Sequence, residues 1–254
     1  PKKEKRYHLV VLAKNHTGYK NLVKLTTISH LNGMRGRGIF SRPCIDKSLL
    51  EKYNDGLIIS TACLGGEIPQ AILKGRIDVA ENTAVWYKKL FGDDFYLEIQ
   101  DHGSIEDRIV NVELIRIGKE HQIKVIATND AHYISNMDVE AHDALLCVLT
   151  GKLISDEKRL RYTGTEYIKS EDEMLRLFND HIDKESIKEA INNTVEVSQK
   201  IEEFELFGTY RMPKFPLKEE TDSLSFLTKI TKQGLLSRLN KNNLDEIDEI
   251  YKKR

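Results

Sequence analysis

Four short apolar runs, residues 7–13, 56–62, 95–100 and 124–128, recur through the first half of the chain with helix-length amphipathic stretches between them. Runs this short and this apolar are strands packed on both faces, and helical spacers between such strands predict parallel βα units. The spacers fit that role. Leu22, Leu25, Ile28 and Leu31 fall at helical spacing behind a Thr17 cap, helices follow over Ile68–Leu73 and Val79–Leu90, and a long one runs from Ile105 to about His121. Right-handed crossovers would set all four strands parallel, with their carboxyl ends on one rim. Four strands do not close a barrel by themselves.

That rim is where the chain places residues able to bind ligands. The fourth run, Val125–Ala127, ends in Asn129, Asp130 and His132, the second in Cys63 followed by Gly65 and Gly66, and the third in Asp101-His102-Gly103. Apolar strands do not need such endings, and carboxyl ends are where α/β folds hold metals and catalytic groups. His8 stands near the start of the first run. A Cys, two His and an Asp suit Zn²⁺, and also Mn²⁺ or Fe²⁺ where oxygen ligands dominate. Each residue has a plainer alternative: His8 as a core or surface histidine, Cys63 as a small buried hydrophobe, and His102 as a turn residue capping the next helix. Asn129 fits an orienting role beside the metal as well as a turn.

Composition narrows the function classes. The formal net charge is −1, so no global basic excess points to nucleic acid, and any such contact has to come from local patches. Two basic runs, Gly33–Gly38 and Lys158–Arg161, read as a flexible turn and a solvated face, with phosphate contact the lesser alternative. No apolar run approaches the roughly 20 residues of a membrane span, and nothing resembles a signal peptide, so a cytoplasmic location is expected. Cys44, Cys63 and Cys147 are too few and too scattered for a disulfide framework. Cys147 is expected in the core, and His142 on a helix surface or as a satisfied interior group. The chain opens on Pro1, which suggests a piece of a longer protein.

Beyond Tyr133 the pattern turns to helices, over Val139–Leu149, Ser170–Phe178 and from Lys184 to about Glu203. The clearest linker lies around Phe207–Pro216, with Gly208, Pro213 and Pro216, and helical segments follow over Asp222–Leu239 and Leu244–Tyr251. Three parts are therefore expected: 1–207, a linker over 208–221, and 222–254.

Several blocks carry a resemblance that runs in order along the chain. They are Tyr7–Asn15, Gly18–Leu22, Ala62–Glu67 (Ala-Cys-Leu-Gly-Gly-Glu), Phe91–Gly103, Ala127–Tyr133 (Ala-Thr-Asn-Asp-Ala-His-Tyr), Ala141–Lys152 and Met212–Pro216 (Met-Pro-Lys-Phe-Pro). Together they resemble the amino-terminal part of the bacterial DNA polymerase III alpha subunits, the C-family replicative polymerases. The resemblance implies an α/β fold: a partial PHP-type (polymerase and histidinol phosphatase) distorted seven-stranded βα barrel over 1–207, contributing its last four strands, then the start of the palm over 222–254. It implies a divalent metal cluster, Zn or Mn, whose ligands within this chain are His8, Cys63, Asp130 and His132, with His102 and Asn129 beside them and the remaining ligands on motifs before Pro1. It further implies 3′–5′ exonuclease proofreading or a structural role for this domain. In the full subunit it implies Mg-dependent nucleotidyl transfer on DNA and dNTPs, with sliding clamp and clamp loader as partners and no membrane. The polymerase aspartates would lie outside this chain, and the piece alone is expected to be inactive. A stand-alone phosphoesterase of the histidinol-phosphatase type is the alternative, and the residues after Met212 argue against it.

Overall fold

In the computed structural model, which describes residues 5–38, 41–210, 212–217 and 222–252, the chain forms two compact units, Pro1–Leu206 and Phe207–Arg254. The remaining positions, including parts of the predicted linker, lie outside the described residues. Among the described residues, the strands of the first unit are β1 (Val10–Ala13), β2 (Met34–Arg35), β3 (Arg42–Pro43), β4 (Leu57–Ser60), β5 (Phe95–Ile99) and β6 (Val125–Ala127). Its helices are α1 (His16–Leu31), α2 (Lys47–Lys52), α3 (Glu67–Ile72), α4 (Ile77–Phe91), α5 (Ile105–His121), α6 (Val139–Thr150), α7 (Glu171–Phe178) and α8 (Lys184–Gln199).

Four strands form one sheet in the order β1-β4-β5-β6. β4, β5 and β6 are parallel, joined by crossovers that carry α3 with α4 and then α5. The expectation of four parallel strands is corrected at the first, because β1 runs antiparallel to β4 and pairs Val10 with Ser60 and Ala13 with Leu57. The physical reason lies in the connection. Residues 14–56 contain α1, the β2–β3 hairpin and α2, so this link is not a simple βα crossover and can return the chain at either end of its partner. The hairpin is itself a departure from the sequence, since Met34 and Arg35 pair with Pro43 and Arg42 where only a flexible turn was expected.

Every residue of β4, β5 and β6 is buried, as a strand covered on both faces requires. Alternation then sorts the side chains. Leu57, Ile59, Phe95, Leu97, Ile99, Val125 and Ala127 face the main core with Ala80, Ala84, Leu114 and Ile117 of the helices, while Ile58, Tyr96 and Ile126 form a smaller cluster on the opposite face against Val197 of α8. α8 locks onto β6 through Asn193, whose Nδ2 donates to the Val125 carbonyl at 2.8 Å in a buried setting. Helix starts follow short polar side chains: Asn15, Asp46, Ser104, Ser170 and Asp183 each accept a backbone N–H from the first turn. The α1 cap is thus Asn15 rather than Thr17.

The second unit holds α9 (Ser223–Leu239), capped by Asp222, with Phe215 stacked on Phe226 at 5.6 Å. The helix expected over Leu244–Tyr251 is reduced to a 3₁₀ turn at Leu244–Glu246 and a four-residue α10 (Glu249–Lys252).

One close approach sets the geometry of the β1 region. The Gly56 carbonyl accepts Lys14 N at 2.8 Å, and α1 crosses it at Gly18, where an added Cβ would run into that same carbonyl oxygen. Gly18→Ala should therefore lower stability by about 1–3 kcal/mol. Gly208→Ala, where a Cβ meets nothing within 4 Å, should be close to neutral. Urea unfolding midpoints of the two variants measure the difference, and equal midpoints would contradict this account.

Candidate metal centre

Because β1 is antiparallel, its start lies beside the end of β4. His8 N donates to the Gly65 carbonyl at 2.9 Å, and His8 forms an isolated bridge with Gly66. Those contacts carry the His8 ring to the turn after β4, where His8 Nδ1 lies 3.2 Å from Cys63 Sγ. Had β1 been parallel, His8 would stand at the opposite end of the sheet. The turn itself is tight: Ala62 adopts a left-handed φ of 58°, Gly66 N donates to the Cys63 carbonyl at 2.8 Å, and a Cβ on Gly66 would strike the Thr61 carbonyl. Gly66 is thus required by backbone packing, whereas a Cβ on Gly65 would meet only ordinary contacts at 3.6 Å with Cys63 Sγ and His8 Cβ.

A second pair stands at the end of β6. His132 Nε2 lies 3.2 Å from Asp130 Oδ2, with the carboxylate largely exposed and the imidazole about a third exposed. Ligands of a tetrahedral Zn²⁺, bound at roughly 2.0–2.3 Å, lie about 3.5 Å from one another. Both pairs come close to that spacing, and their donors, sulfur with nitrogen and oxygen with nitrogen, are ones such an ion accepts. The residues present therefore fit the implied metal pair by pair. The four do not gather into one group: among the described residues, the sets of three or more ligating atoms within 4.8 Å of one another are Glu81, Glu120 and His121, and Asp101, Asp180 and His181.

Protein partners occupy the carboxylates of the first set and most of the second, while His121 Nε2 in the first is buried without a hydrogen-bond partner. The Arg116 guanidinium bonds Glu81, Glu113 and Glu120 together, and the hydrogen bonds to Glu113 and Glu81 hold its pKa above the ordinary arginine value. In the second set, Asn111 Nδ2 donates to the Gln100 carbonyl at 2.9 Å and faces His181 Nε2 at 3.2 Å, which assigns the ring proton to Nδ1. That Nδ1–H then bonds Asp180 at 2.5 Å, and Arg108 pairs with the same carboxylate at 2.6 Å.

The segment 163–169 straps the end of β6, and nothing in the sequence analysis anticipated it. Glu166 is buried, 3 % exposed, and its carboxylate accepts from Thr163 N (3.1 Å), Thr163 Oγ1 (2.7 Å), Gly164 N (3.0 Å) and Tyr133 Oη (3.3 Å). Its backbone carbonyl takes His132 N at 2.7 Å, and Ile168 N returns to the Tyr133 carbonyl at 3.3 Å. Both residues expected beside the metal reach this strap. His102 Nδ1 lies 3.2 Å from Thr165 Oγ1, and Asn129 donates to the Tyr167 carbonyl at 2.6 Å while accepting from Lys169 at 3.3 Å. The alternative expectation is corrected: Ser104, not His102, caps the next helix, and His102 meets its first turn only through a backbone N–H that bonds Asp107. A usable signal was present: Thr163 and Glu166 stand at the Ser/Thr-x-x-Glu spacing of a reciprocal cap, here without a helix.

An aromatic cluster steadies the His132 ring, with Tyr162 at 4.5 Å and His142 at 5.7 Å between centroids. His142 is thus part of this cluster, tilted against Tyr133 and edge-on to Tyr162. Cys147 is buried in α6 as expected, whereas Arg159 departs from the solvated-face expectation: its side chain is 3 % exposed and bonds Asp143.

Comparison with known proteins gives a consistent picture. Residues 1–102 match the PHP domain. Along 235 residues, 91 % of the chain, it is 44 % identical to the DNA polymerase III subunit alpha of Borreliella burgdorferi, covering 20 % of that protein. The protein of the same name from Campylobacter jejuni is 38 % identical over 98 % of the chain and 22 % of its own length, and that of Thermus aquaticus 36 % over 91 % and 19 %. The chain spans about a fifth of the length of these curated relatives.

Burial pushes the Glu166 carboxyl up, but the hydrogen bonds from Thr163 and Gly164 outweigh it and leave the group below its ordinary value of 4.5. A depressed carboxylate contributes stability that is complete above its unfolded pKa and is lost as pH falls through the folded one. Stability should therefore decline on acidification below about pH 4.5, and Glu166→Gln should flatten that part of the profile. Thermal unfolding between pH 6 and 3 reads the difference, and parallel profiles would reject the assignment.

Proposed function

The chain is a relative of the bacterial DNA polymerase III alpha subunits through their PHP-domain region, and on that footing we propose that it serves as the metal-binding PHP part of a replicative DNA polymerase. His8, Cys63, Asp130 and His132 are its metal ligands within this sequence, and its reaction is 3′–5′ hydrolysis of a phosphodiester. The observation that carries this is the antiparallel placement of β1, which brings His8 to 3.2 Å from Cys63 although 54 residues separate them, at the same rim as the Asp130–His132 pair. Four coordinating residues at one rim are more than a purely supporting domain needs.

Bound divalent ions, Zn or Mn, would supply Lewis-acid polarisation of the scissile phosphate and a more acidic water. The chain's own residues do the rest. Cys63 and His8 offer a thiolate and an imidazole, Asp130 a carboxylate able to bridge ions, and His132 a ring held in place by Tyr162 and His142. The strap at 163–169 fixes the backbone of the second pair, and His102 and Asn129 act through it. On this reading residues 1–207 form the PHP part, 208–221 a linker and 222–254 the start of a palm. Nucleotidyl transfer with Mg, DNA and dNTP binding, and contacts with clamp and clamp loader belong to the whole subunit.

Two measurements test this together. Titration of the chain with Zn²⁺ should show binding that weakens at least 10–100-fold in Cys63→Ser and in Asp130→Asn, the loss that even outer partners of a metal site cause. Excision of a mismatched primer terminus by the full subunit should fall in the same variants while primer extension persists. Unchanged excision in Asp130→Asn would sink the hydrolytic reading.

A further inference from the structure

The face of the sheet that carries Ile58, Tyr96 and Ile126 continues toward the carboxyl ends of the strands as Ser60, Glu98 and Thr128, which line one cavity of about 190 Å³ together with Val10. We propose that Glu98 is an outer carboxylate of the candidate metal centre, a positioning residue that supplies negative charge to the bound divalent ions and joins the strand ends carrying the two ligand pairs; the inference rests on the metal reading above.

Connectivity is the first ground. Glu98 is buried, 6 % exposed, on β5, the strand between β4 and β6. Its carboxylate accepts from Ser60 Oγ on one side and from Thr128 Oγ1 at 2.5 Å on the other, and its backbone N–H donates to Thr61 Oγ1 at 2.8 Å. Ser60 stands three residues before Cys63, and Thr128 two before Asp130. Glu98 therefore bonds each neighbouring strand within three residues of a metal donor. β1 joins the same region, because Val10, two residues after His8, pairs with Ser60.

Uncompensated polarity is the second ground. The groups that bond the carboxylate, two hydroxyls and the Gln100 amide at 3.0 Å, are all neutral, and among the described residues no cation pairs with it. A buried carboxylate held only by neutral donors carries a desolvation cost that a nearby positive charge would offset. Gln100 adds an acceptor in the same position. Its Nε2 donates to Glu98 Oε1 and to Thr128 Oγ1, both at 3.0 Å, which turns Gln100 Oε1 away from the carboxylate, and that buried oxygen has no hydrogen-bond partner. A carboxylate without a cation and a carbonyl oxygen without a donor stand at the rim that carries the His8–Cys63 and Asp130–His132 pairs. A hydrated divalent cation accounts for both.

Zn²⁺ titration of the 254-residue chain by calorimetry, beside the urea unfolding midpoint of the metal-free chain, tests this. Glu98→Gln keeps the shape of the side chain and removes its charge, so Zn²⁺ affinity should fall about 10-fold or more, as outer partners of a metal site cause, while the metal-free midpoint stays the same or rises. Glu98→Asp, which keeps the charge, should restore most of the affinity. Gln100→Glu, which puts a second charge at the unpartnered acceptor, should tighten Zn²⁺ binding and lower the metal-free midpoint. A purely structural hub would behave otherwise: Glu98→Gln would lose metal-free stability and Gln100→Glu would gain no affinity. Either result would overturn the proposal, as would wild-type Zn²⁺ affinity in Glu98→Gln. Cys63→Ser keeps the two readings apart. A chain whose Zn²⁺ binding depends on Cys63 but not on Glu98 loses this inference alone, and a wild-type chain that takes no Zn²⁺ overturns the metal reading and this one with it.

Discussion

The antiparallel pairing of β1 with β4 is the constraint on which the rest of the first unit depends. Val10 opposite Ser60 and Ala13 opposite Leu57 set the direction of the first strand, and direction decides which end of the sheet receives the residues before it. Since a strand rises about 3.3 Å per residue, reversing a four-residue strand would move His8 well beyond reach of Cys63. The close crossing of Gly18 over Gly56 holds that pairing from the side of α1, and the backbone bond from Lys14 to Gly56 closes it. One hydrogen-bonded ladder thus links the core to the candidate metal centre.

The two halves of the candidate centre are supported differently. Cys63 sits on a turn whose conformation is fixed by backbone contacts, with Gly66 pressed against the Thr61 carbonyl, and it follows directly from a strand buried in the core. Asp130 and His132 lie on an exposed turn beyond β6 that the strap holds through His132 N on the Glu166 carbonyl and through Asn129 on the Tyr167 carbonyl. A buried carboxylate satisfied by four donors makes a firm anchor, because leaving any of those groups unpaired in the interior costs about 1–3 kcal/mol. The turn is exposed to solvent yet held by a buried group, which suits a site that has to admit a ligand while keeping its donors in place.

Much of this was legible in the residues. The apolar runs at 56–62, 95–100 and 124–128 became β4, β5 and β6, and helix positions followed from apolar spacing and capping side chains. The residues ending those strands were recognisable because their chemistry is out of place after a buried strand. What escaped were features carried by single contacts between distant residues: the tilted contact of His142 with His132, the burial of the Arg159 side chain against Asp143, and the strap around Glu166. Residues 160–169 have neither the periodicity of a helix nor the alternation of a strand, so local patterning gave no reason to place them over β6.

By itself, then, the sequence determined the local elements, the buried faces of the strands and the kinds of donor available for a metal, because each of these follows from short-range periodicity and side-chain chemistry. The tertiary structure alone decided the direction of β1, the meeting of His8 with Cys63 and the bonding of Glu166 to Tyr133. The physical reason is that these depend on where a long connection returns the chain. A link over residues 14–56 can deliver the next strand in either direction at small entropic difference, and only the packing of the whole unit selects one.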